Sequence, residues 1–180
     1  MRLFVASDIH GSATALKTLL DAFASSGAEY LVLCGDYLNH GPRNPIPEGY
    51  DPKAVALALN GIKSKIIGVR GNCDSEVDQM LLEFPCMGDY STVLFDNRRI
   101  FVTHGHIFGK DRLPPLSAGD VFVSGHTHVP VLETRDGIIF LNPGSASIPK
   151  ESSEGGYALI DDSGISLMTL SGKELKRHDW

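Results

Sequence analysis

Apolar and polar positions change rhythm about halfway along the chain. Residues 2–7 form a short apolar run that predicts a strand. Behind it, Ser12 can cap a helix carrying Leu16, Leu19, Leu20 and Phe23 at helical spacing. Residues 30–34 are almost continuously apolar, as a strand buried on both faces would be. Asp51-Pro52 pairs an N-cap with proline at the first helical position and opens a helix over Val55, Leu57 and Leu59. Residues 65–69 predict a third strand and residues 75–82 a further helix.

The second half reads as hairpins. Residues 90–95 and 99–103 flank Asp96-Asn97-Arg98, and residues 121–124 form a strand. Residues 131–135 and 138–141 flank Asp136-Gly137, and residues 157–160 and 165–170 flank another turn of Asp, Ser and Gly. The pattern is therefore alternating α/β followed by an antiparallel meander. Two packed sheets with helices outside satisfy both halves. No repeat, low-complexity tract or linker interrupts the pattern, so residues 1–180 are read as one domain.

Composition adds exclusions. The chain is 42% hydrophobic and 21% charged, as in ordinary globular proteins. Its apolar runs are too short to cross a bilayer, and the N-terminal one is shorter than a signal-peptide core; a cytoplasmic protein without membrane association is expected. A net charge of −6 without a Lys/Arg run gives no footprint for nucleic acid. Cys34, Cys73 and Cys86 show no CxxC spacing, which argues against a disulfide framework or a zinc ribbon; Cys34 and Cys86 are expected to be buried.

The chemistry sits where the apolar runs end. Asp8-Ile9-His10-Gly11 follows the first strand, Gly35-Asp36 the second and Gly71-Asn72-Cys73-Asp74 the third. His104-Gly105-His106 and Gly125-His126-Thr127-His128 follow later strands. Open α/β sheets bind ligands beyond the carboxyl ends of their strands, so these motifs should converge on one rim. Carboxylates, an amide oxygen and imidazoles, with no thiolate pair, suit Mn, Fe, Zn, Co or Ni. Two cations about 3.5–4 Å apart need a bridging anion, which a single carboxylate such as Asp36 can supply, and such a site attracts a phosphate ester. A lone Asp-x-His or Gly-Asp is weak; the ordered set at successive strand ends is specific.

This ordered set resembles the calcineurin-like metallophosphoesterase superfamily. Ser7-Asp8-Ile9-His10-Gly11, Leu38-Asn39-His40-Gly41-Pro42-Arg43-Asn44, Arg70-Gly71-Asn72-Cys73-Asp74 and Asn142-Pro143-Gly144-Ser145 are similar to the bacterial YfcE-type phosphodiesterases within it. The resemblance implies an α/β four-layer sandwich of two mixed β-sheets flanked by helices. It implies that Asp8, His10 and His128 hold one metal, that Asn72, His104 and His126 hold a second, and that Asp36 bridges them. It also implies two divalent transition ions, Mn favoured, and in-line attack on phosphorus by a metal-bridging hydroxide. The expected substrate is a small organic phosphodiester, and the resemblance leaves room for a homo-oligomer. Many superfamily members carry a histidine after the Asn that can protonate the leaving alkoxide, where this chain has Cys73.

A thiol is a weak hydrogen-bond donor, so diesters with acidic leaving groups, such as aryl esters, should react best. Asn72, Cys73 and Asp74 are the candidate catalytic positions. His40 and Arg43, in the long loop over residues 39–50, are candidates for substrate binding, with a subunit-contact loop as the alternative. His106 is expected to face solvent or to support a ligand, and His178 to be exposed. Alternative functions are a phosphomonoesterase or nuclease of the same superfamily, or a non-catalytic interaction scaffold.

Overall fold

A computed structural model describes residues 1–180. Strand β1 (Leu3–Ala6) lies inside a six-stranded sheet, parallel to β2 (Tyr30–Leu33), which is parallel to β3 (Ile66–Gly68). On the other side of β1 the sheet continues antiparallel through β9 (Gly156–Asp161), β10 (Gly164–Thr169) and β11 (Glu174–Asp179). The second sheet has the order β4 (Tyr90–Phe95), β5 (Arg98–Thr103), β6 (Val121–Val123), β8 (Ile138–Pro143), β7 (Pro130–Arg135).

Side-chain alternation along β1 explains the layering. Leu3 and Val5 join Val32, Phe95, Val102, Val123 and Leu141 in the core between the sheets. Phe4 and Ala6 point the opposite way, into a core shared with helices α1 (Ala13–Ser26) and α2 (Pro52–Asn60). With both faces buried, β1 has no polar position to spare, hence its unbroken apolar run. Ser12 caps α1 by accepting the Ala15 N–H at 3.1 Å, and Asp51 caps α2 by accepting the Ala54 N–H at 3.0 Å. A third helix, α3 (Glu76–Leu81), starts where the Asp78 carboxylate takes the N–H and hydroxyl of Ser75. No helix is long and apolar enough to cross a membrane.

The mixed α/β sandwich agrees with the expectation, with corrections in detail. The outer face of the second sheet carries Phe101, stacked with Tyr90 and Phe122 and met edge-on by Phe108. The second half is not a simple meander. Strands β5, β6 and β8 run parallel, and the β9–β11 meander joins the first sheet. Leu57 is 66% exposed, and Ala56 is buried in its place on the inner face of α2. The parallel trios β1-β2-β3 and β5-β6-β8 both direct their carboxyl ends toward the polar motifs, which brings the rims of two sheets to one place.

Candidate metal centre

Backbone conformation sets the site before any side chain is considered. Asp8, His10, Asp36, His126 and His128 all have positive φ, between 49° and 66°. Non-glycine residues enter this region at a cost of about 1–3 kcal/mol each, and such strain concentrates at functional sites. The glycines beside them permit close approach. A Cβ on Gly71 would lie 2.1 Å from Asp36 Oδ1, and one on Gly125 would lie 1.9 Å from Ser7 Oγ and 2.5 Å from Asp8 Oδ2.

Three imidazoles are held the same way. Nδ1 of His10 donates to the Asn39 carbonyl at 2.8 Å, Nδ1 of His104 to the Cys34 carbonyl at 2.7 Å, and Nδ1 of His128 to the Ile148 carbonyl at 2.6 Å. A carbonyl accepts only, so Nδ1 carries the proton in each ring and the neutral ring keeps its lone pair at Nε2. Those Nε2 atoms meet. His10 Nε2 lies 3.2 Å from His128 Nε2, and these two are 3.5 and 3.2 Å from Asp8 Oδ1. Asp36 Oδ2 lies 3.6 Å from His10 Nε2 and 3.4 Å from His104 Nε2, and Asn72 Oδ1 lies 3.0 Å from His104 Nε2. His126 donates its backbone N–H to Asp8 Oδ2 at 3.0 Å, and its ring centroid is 5.1 Å from that of His104.

Lone pairs and carboxylates packed this closely require positive charge between them. Asp8 Oδ1 is buried without a hydrogen-bond donor, although the other oxygen of the same carboxylate is satisfied. In the metal-free protein, protons fill the role. Burial opposes charge on the His104 ring, but the Asp36 carboxylate and Asp8 push its pKa up to about 9. His10 is raised in the same way against its burial, chiefly by Asp8. Burial would raise the Asp8 carboxyl, yet the His10, His128 and His104 rings around it, when they take up a proton, hold it well below the usual range. Asp8, His10 and His128 form one compact candidate set for a cation, and Asp8, Asp36 and His104 another. Nitrogen and oxygen donors of this kind fit divalent transition ions.

The supporting residues come largely from motifs whose side chains never face the centre. Asn142 donates to the Gly125 carbonyl at 2.7 Å and accepts the Gly144 N–H at 2.8 Å, which fixes the loop carrying His126 and His128. Ser145 and Ser147 donate to the Asp8 carbonyl at 2.8 and 3.0 Å. Asp74, expected among the catalytic residues, is instead buried beneath the centre. Its carboxylate accepts the N–H groups of Asp36, Tyr37 and Gly71 at 2.8, 2.9 and 2.6 Å and contributes nothing to the cleft wall. Burial and the neighbouring Asp36 raise its pKa to about 6 despite those three bonds.

A cleft of about 810 Å³ opens over the centre, with Asp36, Asn72, Cys73, His126 and His128 in its floor and walls. Cys73 is half-buried, and its sulfur receives a bond from Asn72 Nδ2 at 3.2 Å. Burial and Asp36 push its thiol up to about 12, so it remains protonated at neutral pH. Arg43 lines the cleft, whereas the His40 ring packs edge-on against Tyr50 at 5.2 Å. His106 sits edge-to-face against His104 at 5.3 Å and borders a separate groove on the outer side of the second sheet. Lys150 and Asn44 also line the cleft; Asn44 belongs to the loop over residues 39–50, and no residue-type signal in the sequence marked Lys150.

This geometry, a binuclear-type cluster on the joined rims of two mixed sheets, belongs to the phosphoesterases. The calcineurin-like phosphoesterase superfamily domain matches residues 1–164, and the chain belongs to that superfamily, whose members use divalent metals. The chain is 52% identical over 175 residues to phosphodiesterase YfcE of Escherichia coli strain K12, covering 97% of this chain and 95% of that relative. The solved structure of the E. coli phosphoesterase Yfce superposes with a TM-score of 0.97 at 50% identity over 99% of both chains. Vacuolar Protein Sorting 29 from Cryptosporidium parvum shares the fold alone, with a TM-score of 0.65 at 16% identity over 99% of this chain and 98% of that one.

Proposed function

We propose that this chain is a metal-dependent phosphodiesterase acting on small organic phosphodiesters. In this reading Asp8, His10 and His128 hold one divalent cation, Asn72, His104 and His126 hold a second, and Asp36 is shared. Mn is the favoured metal, with Zn, Fe, Ni or Co also suited to the donor set. When bound, the two cations supply Lewis acidity and lower the pKa of the attacking water. The observation that carries the reading is the convergence of the His10 and His128 Nε2 atoms on Asp8 Oδ1, a buried oxygen with no donor of its own. The relative named phosphodiesterase YfcE supports the choice of diester over monoester.

The chain's own groups divide the remaining work. The carbonyls of Asn39, Cys34 and Ile148 fix the three rings in the tautomer that presents Nε2 to the centre. The open cleft admits a small ester, and Arg43 lines it as a substrate-binding group. Cys73, the group nearest in sequence to Asn72 on that wall, stays protonated at neutral pH but is a weak hydrogen-bond donor toward a departing alkoxide. Esters with acidic leaving groups, aryl esters above all, are therefore the favoured substrates. Two of the three thiols are buried and none is paired, which suits a reducing compartment such as the cytoplasm.

The test is a panel of aryl phosphodiesters and aryl phosphomonoesters crossed with Mn, Zn, Fe, Co and Ni, run on wild type and Asp36→Asn. The diester should turn over faster, and the variant should lose about a hundredfold or more. Faster monoester turnover would replace this reading with a phosphomonoesterase. Failure to take up any metal, together with no hydrolysis, would favour a scaffold.

A further inference from the structure

The cleft has an uneven charge distribution that the metal centre does not explain. The chain as a whole is acidic, with 22 Asp and Glu against 16 Lys and Arg. Yet the only carboxylate lining the cleft is Asp36, which is committed to the ring nitrogens and to the Cys73 N–H. Beyond it and the residues of the centre itself, the charged lining groups are two cations, Arg43 and Lys150, with the amides of Asn39 and Asn44 beside them. Both cations are exposed. They are absent from the chain's ion pairs, and what sets them apart from the other unpaired cations is that they line the cleft.

Each cation is anchored through its loop to a different side of the centre. Lys150 donates its backbone N–H to the His128 carbonyl at 3.1 Å, two residues beyond the Ile148 carbonyl that holds the His128 ring. Arg43 lies two residues beyond Gly41, whose backbone packs so closely on Cys73 that a Cβ there would come within 2.8 Å of the sulfur. The loops that carry both cations are thus held against residues at the centre, and both cations line the cleft over it.

Building on the diesterase reading, we propose that Lys150 and Arg43 determine specificity by binding a second anionic group on the substrate, a carboxylate or phosphate carried on the ester arm. One phosphodiester monoanion facing two divalent ions already has its charge neutralised. Two further unpaired cations at the cleft wall are suited to charge beyond the reacting phosphorus, and the guanidinium offers a planar fork for a carboxylate or phosphate. The natural substrates are then phosphodiesters with an anionic substituent rather than simple esters whose two arms carry no charge.

Matched p-nitrophenyl esters test this, because the leaving group stays constant while the other arm is propyl, 2-carboxyethyl or 2-phosphonoethyl. With the Mn-loaded wild type at low ionic strength, kcat/KM for at least one anionic ester should exceed that for the propyl ester by about tenfold, mainly through KM, and salt should erode the difference. The carboxylate and phosphonate arms distinguish the two anion types. The ratio should fall toward one in the Lys150→Ala, Arg43→Ala double variant and drop below one in Lys150→Glu. Hydrolysis of the propyl ester with no preference in wild type, or a preference that survives the double variant, would overturn the proposal while leaving the diesterase reading intact. Hydrolysis of none of the esters would overturn both.

Discussion

The carboxylate of Asp74 accepts the backbone N–H of Asp36 at 2.8 Å, so one buried acid holds another in place. The same carboxylate takes the N–H groups of Tyr37 and Gly71, tying the turn after β2 to the turn after β3. Asp74→Ala strands three buried donors. Each unsatisfied donor costs about 1–3 kcal/mol, reduced where water can enter. The variant should unfold at lower urea and, because Asp36 loses its support, bind Mn about 10- to 100-fold more weakly. Urea denaturation and metal titration measure the two effects separately. A variant destabilised but normal in metal affinity would show that the clamp supports the fold alone.

Gly125 provides a second structural test. A Cβ there would come within 1.9 Å of Ser7 Oγ and 2.5 Å of Asp8 Oδ2, and both residues are fully buried and cannot yield. Gly125→Ala should therefore displace Asp8, with a stability loss of about 1–3 kcal/mol and markedly weaker metal binding. Gly119→Ala is the control. Its φ of +90° strains a side chain, but nothing lies within 4 Å, so it should cost about 1 kcal/mol and leave the metal affinity unchanged. Equal metal affinities for the two variants would remove the steric argument.

The contrast between Asp8 and Asp74 shows which parts of the site were legible in the sequence. Asp8, His10, Asp36, Asn72, His104, His126 and His128 stand out because each follows an apolar run directly, and a strand end is a recognisable place. Asp74, Asn142 and Ser145 also reach backbone N–H and C=O groups distant in sequence, and a side chain's choice of such a partner leaves no local pattern. Sheet pairing was hidden for a similar reason. The alternation within β5, β6 and β8 reports which face is buried, not the direction of the neighbouring strand. Strand β11 escaped because an exposed, charged edge strand has no apolar alternation to display. Leu57 misled because a short helix with apolar residues on several sides leaves the phase of its buried face open.

His104 sets a pH dependence for the metal-free protein. Its pKa lies at about 9, above the ordinary 6.5, because Asp36 and Asp8 outweigh the opposing effect of burial. A base whose pKa rises on folding adds stability that is complete below its unfolded value and is lost as pH climbs through its folded value. The metal-free protein should therefore become less stable between about pH 6.5 and 9 on this account. Bound metal requires the neutral ring, so Mn binding should release protons across that window, and its apparent affinity should rise with pH. Calorimetry of Mn binding in buffers of different ionisation enthalpy counts the protons. A count of zero at pH 7.5 would contradict the assignment of His104 as a ligand.

Cys73 yields the last prediction. Its thiol, pushed up to about 12 by burial and Asp36, keeps its proton but shares it poorly, since a thiol is a weak donor. Rates of wild type on a series of phosphodiesters should fall steeply as the leaving-group pKa rises, because the departing oxygen carries its charge with little help. Cys73→His places an imidazole on the same cleft wall beside Asn72, where its pKa is far closer to neutrality. The gain should be small for p-nitrophenyl esters, whose leaving group departs without a proton, and about tenfold or more for alkyl esters, within the range typical of positioned acids. The slope of log kcat/KM against leaving-group pKa is the measurement, and it should become shallower in the variant. An equal gain on aryl and alkyl esters would assign the effect to substrate binding, and a flat slope in wild type would mean that proton donation does not limit this enzyme.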